Sequence, residues 1–76
     1  MKQRLPALKP RRVLRALEGA GFFVHHASGS HYVLKHPEYP TLRVTIPFHT
    51  KDLKRRTLEK IIDQADLTIE KFLDLL

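Results

Sequence analysis

A chain of 76 residues with a formal net charge of +6 and no cysteine is a single domain near the lower size limit for a self-sufficient core. It has no disulfide framework or thiolate metal centre to hold it together. No apolar run reaches membrane-spanning length and the basic N-terminus lacks the apolar segment of a signal peptide, so a soluble, cytoplasmic protein is expected. So large a positive excess selects a polyanionic partner, nucleic acid first and an acidic protein second.

The charge falls in two clusters. Lys2, Arg4, Lys9, Arg11, Arg12 and Arg15 all precede the first acidic residue, Glu18, and Lys51, Lys54, Arg55 and Arg56 follow in the second half. Residues 1–8 have no clear period and read as a flexible basic arm. A helix is expected from Lys9, with Pro10 in the first turn, where its missing N–H leaves no helical bond unmade. Val13, Leu14, Leu17 and Ala20 form its apolar stripe, and Gly19 or Gly21 ends it.

Phe22 to Ala27 is rich in aromatic and β-branched residues and reads as a first strand. Ser28-Gly29-Ser30 makes a tight turn in which Gly29 supplies the positive φ that hairpin loops demand. His31 to His36 is the second strand. Pro37-Glu38-Tyr39-Pro40 turns the chain into a third strand, Thr41 to Ile46, closed by Pro47. In that strand Leu42, Val44 and Ile46 alternate with Arg43 and Thr45, the pattern of a half-buried strand. A basic connection from Phe48 to Arg56 places Leu53 to tuck into the core. Thr57 to Ala65 then carries Leu58, Ile61, Ile62 and Ala65 at helical spacing. Asp66 breaks this helix in the left-handed region, which Asp tolerates better than most residues. Thr68 caps a last short helix with Ile69, Phe72, Leu73 and Leu76 inside.

The expected architecture is α+β: α-β-β-β-α and a short C-terminal helix, with the helices on one face of a three-stranded antiparallel sheet. Period two sets Leu42, Val44, Ile46, Tyr32 and Leu34 against the helices. It turns His31, Val33 and Lys35 toward the open face, with one of Phe22 and Phe23 also outward. The same alternation sends the adjacent His25 and His26 to opposite faces. His36 packs at a strand end, and His49 lies in the basic connection within reach of a phosphate. No histidine pair has the helical or short-loop spacing of a zinc site, so neither metal nor cofactor is expected.

This order of elements is that of the double-stranded-RNA-binding domain, which reads A-form geometry by shape. A narrower likeness lies in the ordered series Gly29-Ser30-His31, Lys35-His36-Pro37, Ile46-Pro47, Lys51-Asp52-Leu53-Lys54, Thr57-Leu58 and Ile61-Ile62-Asp63-Gln64-Ala65. From about Lys9 to Leu76 the chain resembles the HicA family of toxins. It departs from the family pattern at Ser28, where a basic residue is common, and at Asp66, where glycine is. The resemblance implies ribosome-independent cleavage of mRNA, inhibition of translation, and neutralisation by a HicB-type antitoxin. It carries the functional histidine of the Gly-Ser-His motif to His31.

RNA brings its own nucleophile, the 2′-OH, so a ribonuclease needs a base, an acid and charge stabilisation. Histidine suits either proton role. His31 is therefore the expected general base or acid, with Lys35 and Arg43 as outward cations near the scissile phosphate. Lys51, Lys54, Arg55 and Arg56 are the further RNA-binding candidates, and the free toxin is expected to be a monomer. The competing expectation is a non-catalytic RNA-binding module of the same fold. No second proton-transfer group is identifiable from the sequence.

Overall fold

The computed structural model describes residues 4–76, so the first three residues of the expected basic arm, Lys2 among them, lie outside the described residues. The elements follow as α1 (Pro10–Gly19), β1 (Phe23–Ser28), β2 (His31–Lys35), β3 (Arg43–Pro47), α2 (Arg55–Gln64) and α3 (Ile69–Asp74). The strands form one antiparallel sheet in the order β1-β2-β3. This is the α+β, double-stranded-RNA-binding-like layout expected.

The core is built from one face of the sheet. Leu34, Val44 and Ile46 are fully buried, and onto them pack Val13, Ala16 and Leu17 of α1, Leu58, Ile61 and Ile62 of α2, and Phe72 of α3. Tyr32, half-buried, shares that face and stacks on Phe48 with ring centroids 4.1 Å apart. β1 contributes little: Val24 is half-buried and the rest of the strand is exposed. Phe22 goes into the core and Phe23 outward at 44% exposure. The helices thus cover β2 and β3 and leave β1 overhanging. The outer edge of β3 is closed where the Thr45 N–H donates to Gln64 Oε1 of α2 at 3.0 Å, so that this edge does not offer every ladder donor to another strand.

Local chemistry accounts for the boundaries. Gly21, just beyond α1, has φ +101°, and a Cβ there would lie 2.6 Å from His36 Nε2. Two independent reasons therefore require glycine. Gly29 has φ +57° and Ser30 is not left-handed, so the two-residue loop between Ser28 and His31 has the sign pattern of a type II′ hairpin. Asp66 takes the left-handed conformation with φ +59°, and the Thr68 hydroxyl accepts from the Lys71 N–H at 3.1 Å to cap α3. α2 begins two residues before the expected Thr57, at Arg55. Leu42 lies in the turn before β3 and still packs against the core.

Strict alternation holds at Val33 and fails in β1. Val33 does turn away from the helices, yet it is only 6% exposed, because it lies on the central strand between His26 and Thr45. His25 and His26 do not point to opposite faces. The register runs Val24↔Leu34 and then His26↔Val33, so His25 is the extra residue of a β-bulge. A bulge sets two residues against one and suspends the two-residue period. The two rings meet, with Nδ1 to Nδ1 at 2.8 Å.

Candidate active site

His31 opens β2 immediately after the hairpin loop, paired with Ser28 on β1 and Pro47 on β3. It is exposed, and among the described residues its ring makes no hydrogen bond. Its neighbour Tyr32 faces the core, so alternation turns the imidazole to the face that no helix covers. An exposed ring with both nitrogens free can approach a substrate atom and exchange a proton with it. His36, at the other end of the strand, cannot. It is 8% exposed; its Nδ1 accepts from the Glu38 N–H and its Nε2 donates to the Ala20 carbonyl, each at 3.1 Å. The edge of Phe22 packs against the same ring.

The other expected site residues fall in two groups. Lys35 and Arg43 are register partners and share the outer face with His31, but at the opposite end of the sheet. Four residues of strand separate Lys35 from His31, about 13 Å at roughly 3.3 Å per residue. Arg43 is exposed and Lys35 half-buried. They are not beside the histidine; they suit a phosphate farther along a strand crossing the sheet.

The second group gathers at the His31 end. The Phe48 N–H donates to the Ser30 carbonyl, which ties the start of the basic connection to the hairpin loop. Beyond it the His49 Nδ1 accepts from the Lys51 N–H at 3.2 Å. Phe48, His49 and Thr50 line an open cleft with Lys9 and Arg11 of the α1 N-terminus. The Leu53 N–H then donates to the Leu8 carbonyl at 2.8 Å, which lays the entries to the two helices side by side. Two clusters separate in sequence therefore become one basic rim, in which Lys9 and Arg11 are brought to the segment that carries Lys51, Lys54, Arg55 and Arg56, all exposed. Leu5 and Leu8, half-buried against the core, seat residues 4–8 beside it.

This rim is unfavourable for an isolated helix. Both N-caps are lysines, neither makes a side-chain cap, and neither helix has an acidic residue in its first turn. Cations at the positive end of a helix dipole each cost roughly 0.3–1 kcal/mol where an anion would contribute as much. A chain that places its cations there at two adjacent helix starts favours a polyanion on that surface. One of these cations is already engaged: Arg55 pairs with Glu59 at 3.4 Å in an exposed i,i+4 bridge. Among the described residues no group of three or more His, Cys, Asp or Glu side chains is placed to hold a metal ion, and no helix is long and apolar enough to cross a membrane.

The bulged histidines were missed by sequence reasoning. The doubled His-His in a strand was visible, but only the register shows that its second member faces His31's side of the sheet.

Compared with known proteins, the chain has no match among curated sequences. Residues 10–67 match the family model described as the HicA toxin of bacterial toxin–antitoxin systems. That span runs from the first residue of α1 to just past α2, and so includes the hairpin, His31 and the basic connection. With most of its length covered, the chain belongs to the HicA toxin family, and its partner is a cognate antitoxin.

Proposed function

We propose that this toxin is a metal-independent endoribonuclease that cleaves mRNA in the cytoplasm and so inhibits translation, with His31 transferring a proton at the scissile phosphate. The observation that carries the reading is the position of His31. It is the histidine of the Gly-Ser-His turn, exposed on the uncovered sheet face, at the end of the sheet where the basic rim lies.

In this reading the substrate strand is held by its phosphates. Lys9, Lys51, Lys54 and Arg56 contact it on one side of the cleavage point, and Lys35 and Arg43 hold it across the sheet. Binding of this kind depends on salt and little on base identity. The ribose 2′-oxygen attacks the adjacent phosphorus. The new O2′–P bond forms as the P–O5′ bond breaks, leaving a 2′,3′-cyclic phosphate and a 5′-hydroxyl. One proton leaves the 2′-OH and one arrives at the 5′-oxygen. His31 performs one of these transfers, typically worth about a hundred- to ten-thousand-fold in rate, and nearby cations stabilise the charge building on the phosphoryl oxygens. A HicB-type antitoxin would stop the reaction by covering the exposed face, and the toxin free of it would act as a monomer.

The test is cleavage of a defined RNA by purified protein in excess EDTA, with induced expression in parallel. The wild type is expected to cut the RNA and arrest growth; His31→Ala is expected to do neither while remaining folded. Full activity in His31→Ala would overturn the assigned chemistry. A wild type that binds RNA without cutting it would leave a non-catalytic RNA-binding module.

A further inference from the structure

In-line cleavage needs a second proton-transfer group, and the β1 bulge supplies a candidate. We propose that the hydrogen-bonded His25–His26 pair is the general acid of this site, protonating the leaving 5′-oxygen while His31 acts as the base; the inference rests on the ribonuclease reading above.

Three observations converge. First, the bulge sets His25 and His26 together opposite Val33, which turns away from the core. That is the face on which His31 lies, two residues along the neighbouring strand. Such diagonal positions are about 7–8 Å apart. Two hydrogen bonds of about 2.8 Å, one on each side of a phosphoryl group, span a comparable gap. A phosphate lying over this outer face is thus within reach of His31 on one strand and the pair on the other, as opposite entry and departure of the two oxygens requires.

Second, the rings are paired with each other. With Nδ1 to Nδ1 at 2.8 Å and ring centroids 5.1 Å apart, one Nδ1 donates and the other accepts, leaving the Nε2 atoms for substrate. That hydrogen bond becomes charge-assisted, and stronger, when the pair carries one additional proton. The contact also fixes the two rings against each other, so that an Nε2–H is held in one orientation for the leaving oxygen. A lone exposed ring such as His31 has no such partner.

Third, the pair contributes nothing to the core. Both residues are exposed, in a strand of which Val24 alone is half-buried. A bulge beside a candidate active site, re-aiming side chains that alternation would separate, is a recurrent use of this irregularity.

The step balances without a co-reactant. His31 takes the 2′-OH proton, the O2′–P bond forms, the P–O5′ bond breaks, and the pair gives its proton to O5′.

The experiment compares the wild type, His31→Ala and the double variant H25A/H26A on two RNA substrates of one sequence, one ordinary and one with sulfur as the bridging 5′ atom at the cleavage point. A 5′-thiolate leaves without protonation. The double variant is expected to lose about a hundred- to ten-thousand-fold on ordinary RNA. On the 5′-thio substrate it should come within about tenfold of the wild type, whereas His31→Ala should remain impaired on both. Binding of a 2′-O-methyl RNA, which cannot react, should stay within about threefold, the change expected when acid catalysis alone is removed.

Undiminished cleavage of ordinary RNA by the double variant would overturn the proposal and leave the ribonuclease reading intact. A loss equal on both substrates, or one matched by lost binding, would overturn the acid role and make the pair a binding element. No cleavage by the wild type would refute the ribonuclease reading itself, and this proposal with it.

Discussion

At one end of β2, His36 is locked: both ring nitrogens are bonded to backbone groups, Phe22 packs against it, and Gly21 is glycine partly to leave it room. At the other end, His31 is exposed beside a hairpin loop and a basic rim. The same side chain, five residues apart, sits in opposite environments. A ring whose two nitrogens complete the fold cannot exchange a proton without breaking a structural bond. A ring that completes nothing can. Position relative to the helices decides the difference, because they cover one face of the sheet and leave the other to solvent.

The contrast breaks most readily at His31. Replacing it with alanine is expected to lower RNA cleavage by at least about a hundredfold while the thermal midpoint moves by no more than about 3 °C, as for an exposed side chain. A large loss of stability would show that His31 belongs with His36. Gly21→Ala is expected to act the opposite way. It combines a positive φ, costing about 1–2 kcal/mol for an L-residue, with overpacking against the ring, worth about 1–3 kcal/mol more. Chemical denaturation should therefore show a loss of about 2–5 kcal/mol, and a loss under about 1 kcal/mol would mean that His36 yields easily.

His36→Ala sharpens the same contrast. It removes two hydrogen bonds and the edge contact with Phe22, and leaves the Ala20 carbonyl without its partner. About 1–3 kcal/mol of stability should be lost, with cleavage per folded molecule unchanged. If cleavage falls while the fold stays intact, the locked ring reaches the site through the sheet and the division between the ends is wrong. The smallest effect concerns the rim. Lys54→Gln should reduce the slope of log affinity against log salt for single-stranded RNA by about 0.7, the loss of one phosphate contact. Arg55→Gln should do less, since Arg55 is shared with Glu59. Equal slopes in wild type and Lys54→Gln would remove the rim from RNA contact.

Much of this molecule was legible in its residues, since the relevant interactions are local. Pro10 begins α1, Gly29 makes the hairpin turn and Asp66 takes the left-handed position, each through its own backbone preference. Leu34, Val44 and Ile46 declare the buried face through a period of two. The exposed placement of His31 follows from the turn before it and the alternation after it. The candidate site was less legible, because its parts meet through pairing across distance. Only register separates Lys35 and Arg43 from His31 by the length of the strand, although all three share a face. Only tertiary contacts, the Leu8–Leu53 bond and the cleft between Lys9, Arg11 and His49 among them, join two basic clusters far apart in sequence into one rim. Only the bulge brings His25 and His26 together, because alternation holds just as long as every residue has a partner across the ladder. An unpaired residue shifts the chain by one, and that shift costs little in an overhanging strand with almost nothing to bury. Local preference and periodicity thus determined the fold and the turn that presents His31; strand pairing and packing decided what surrounds it.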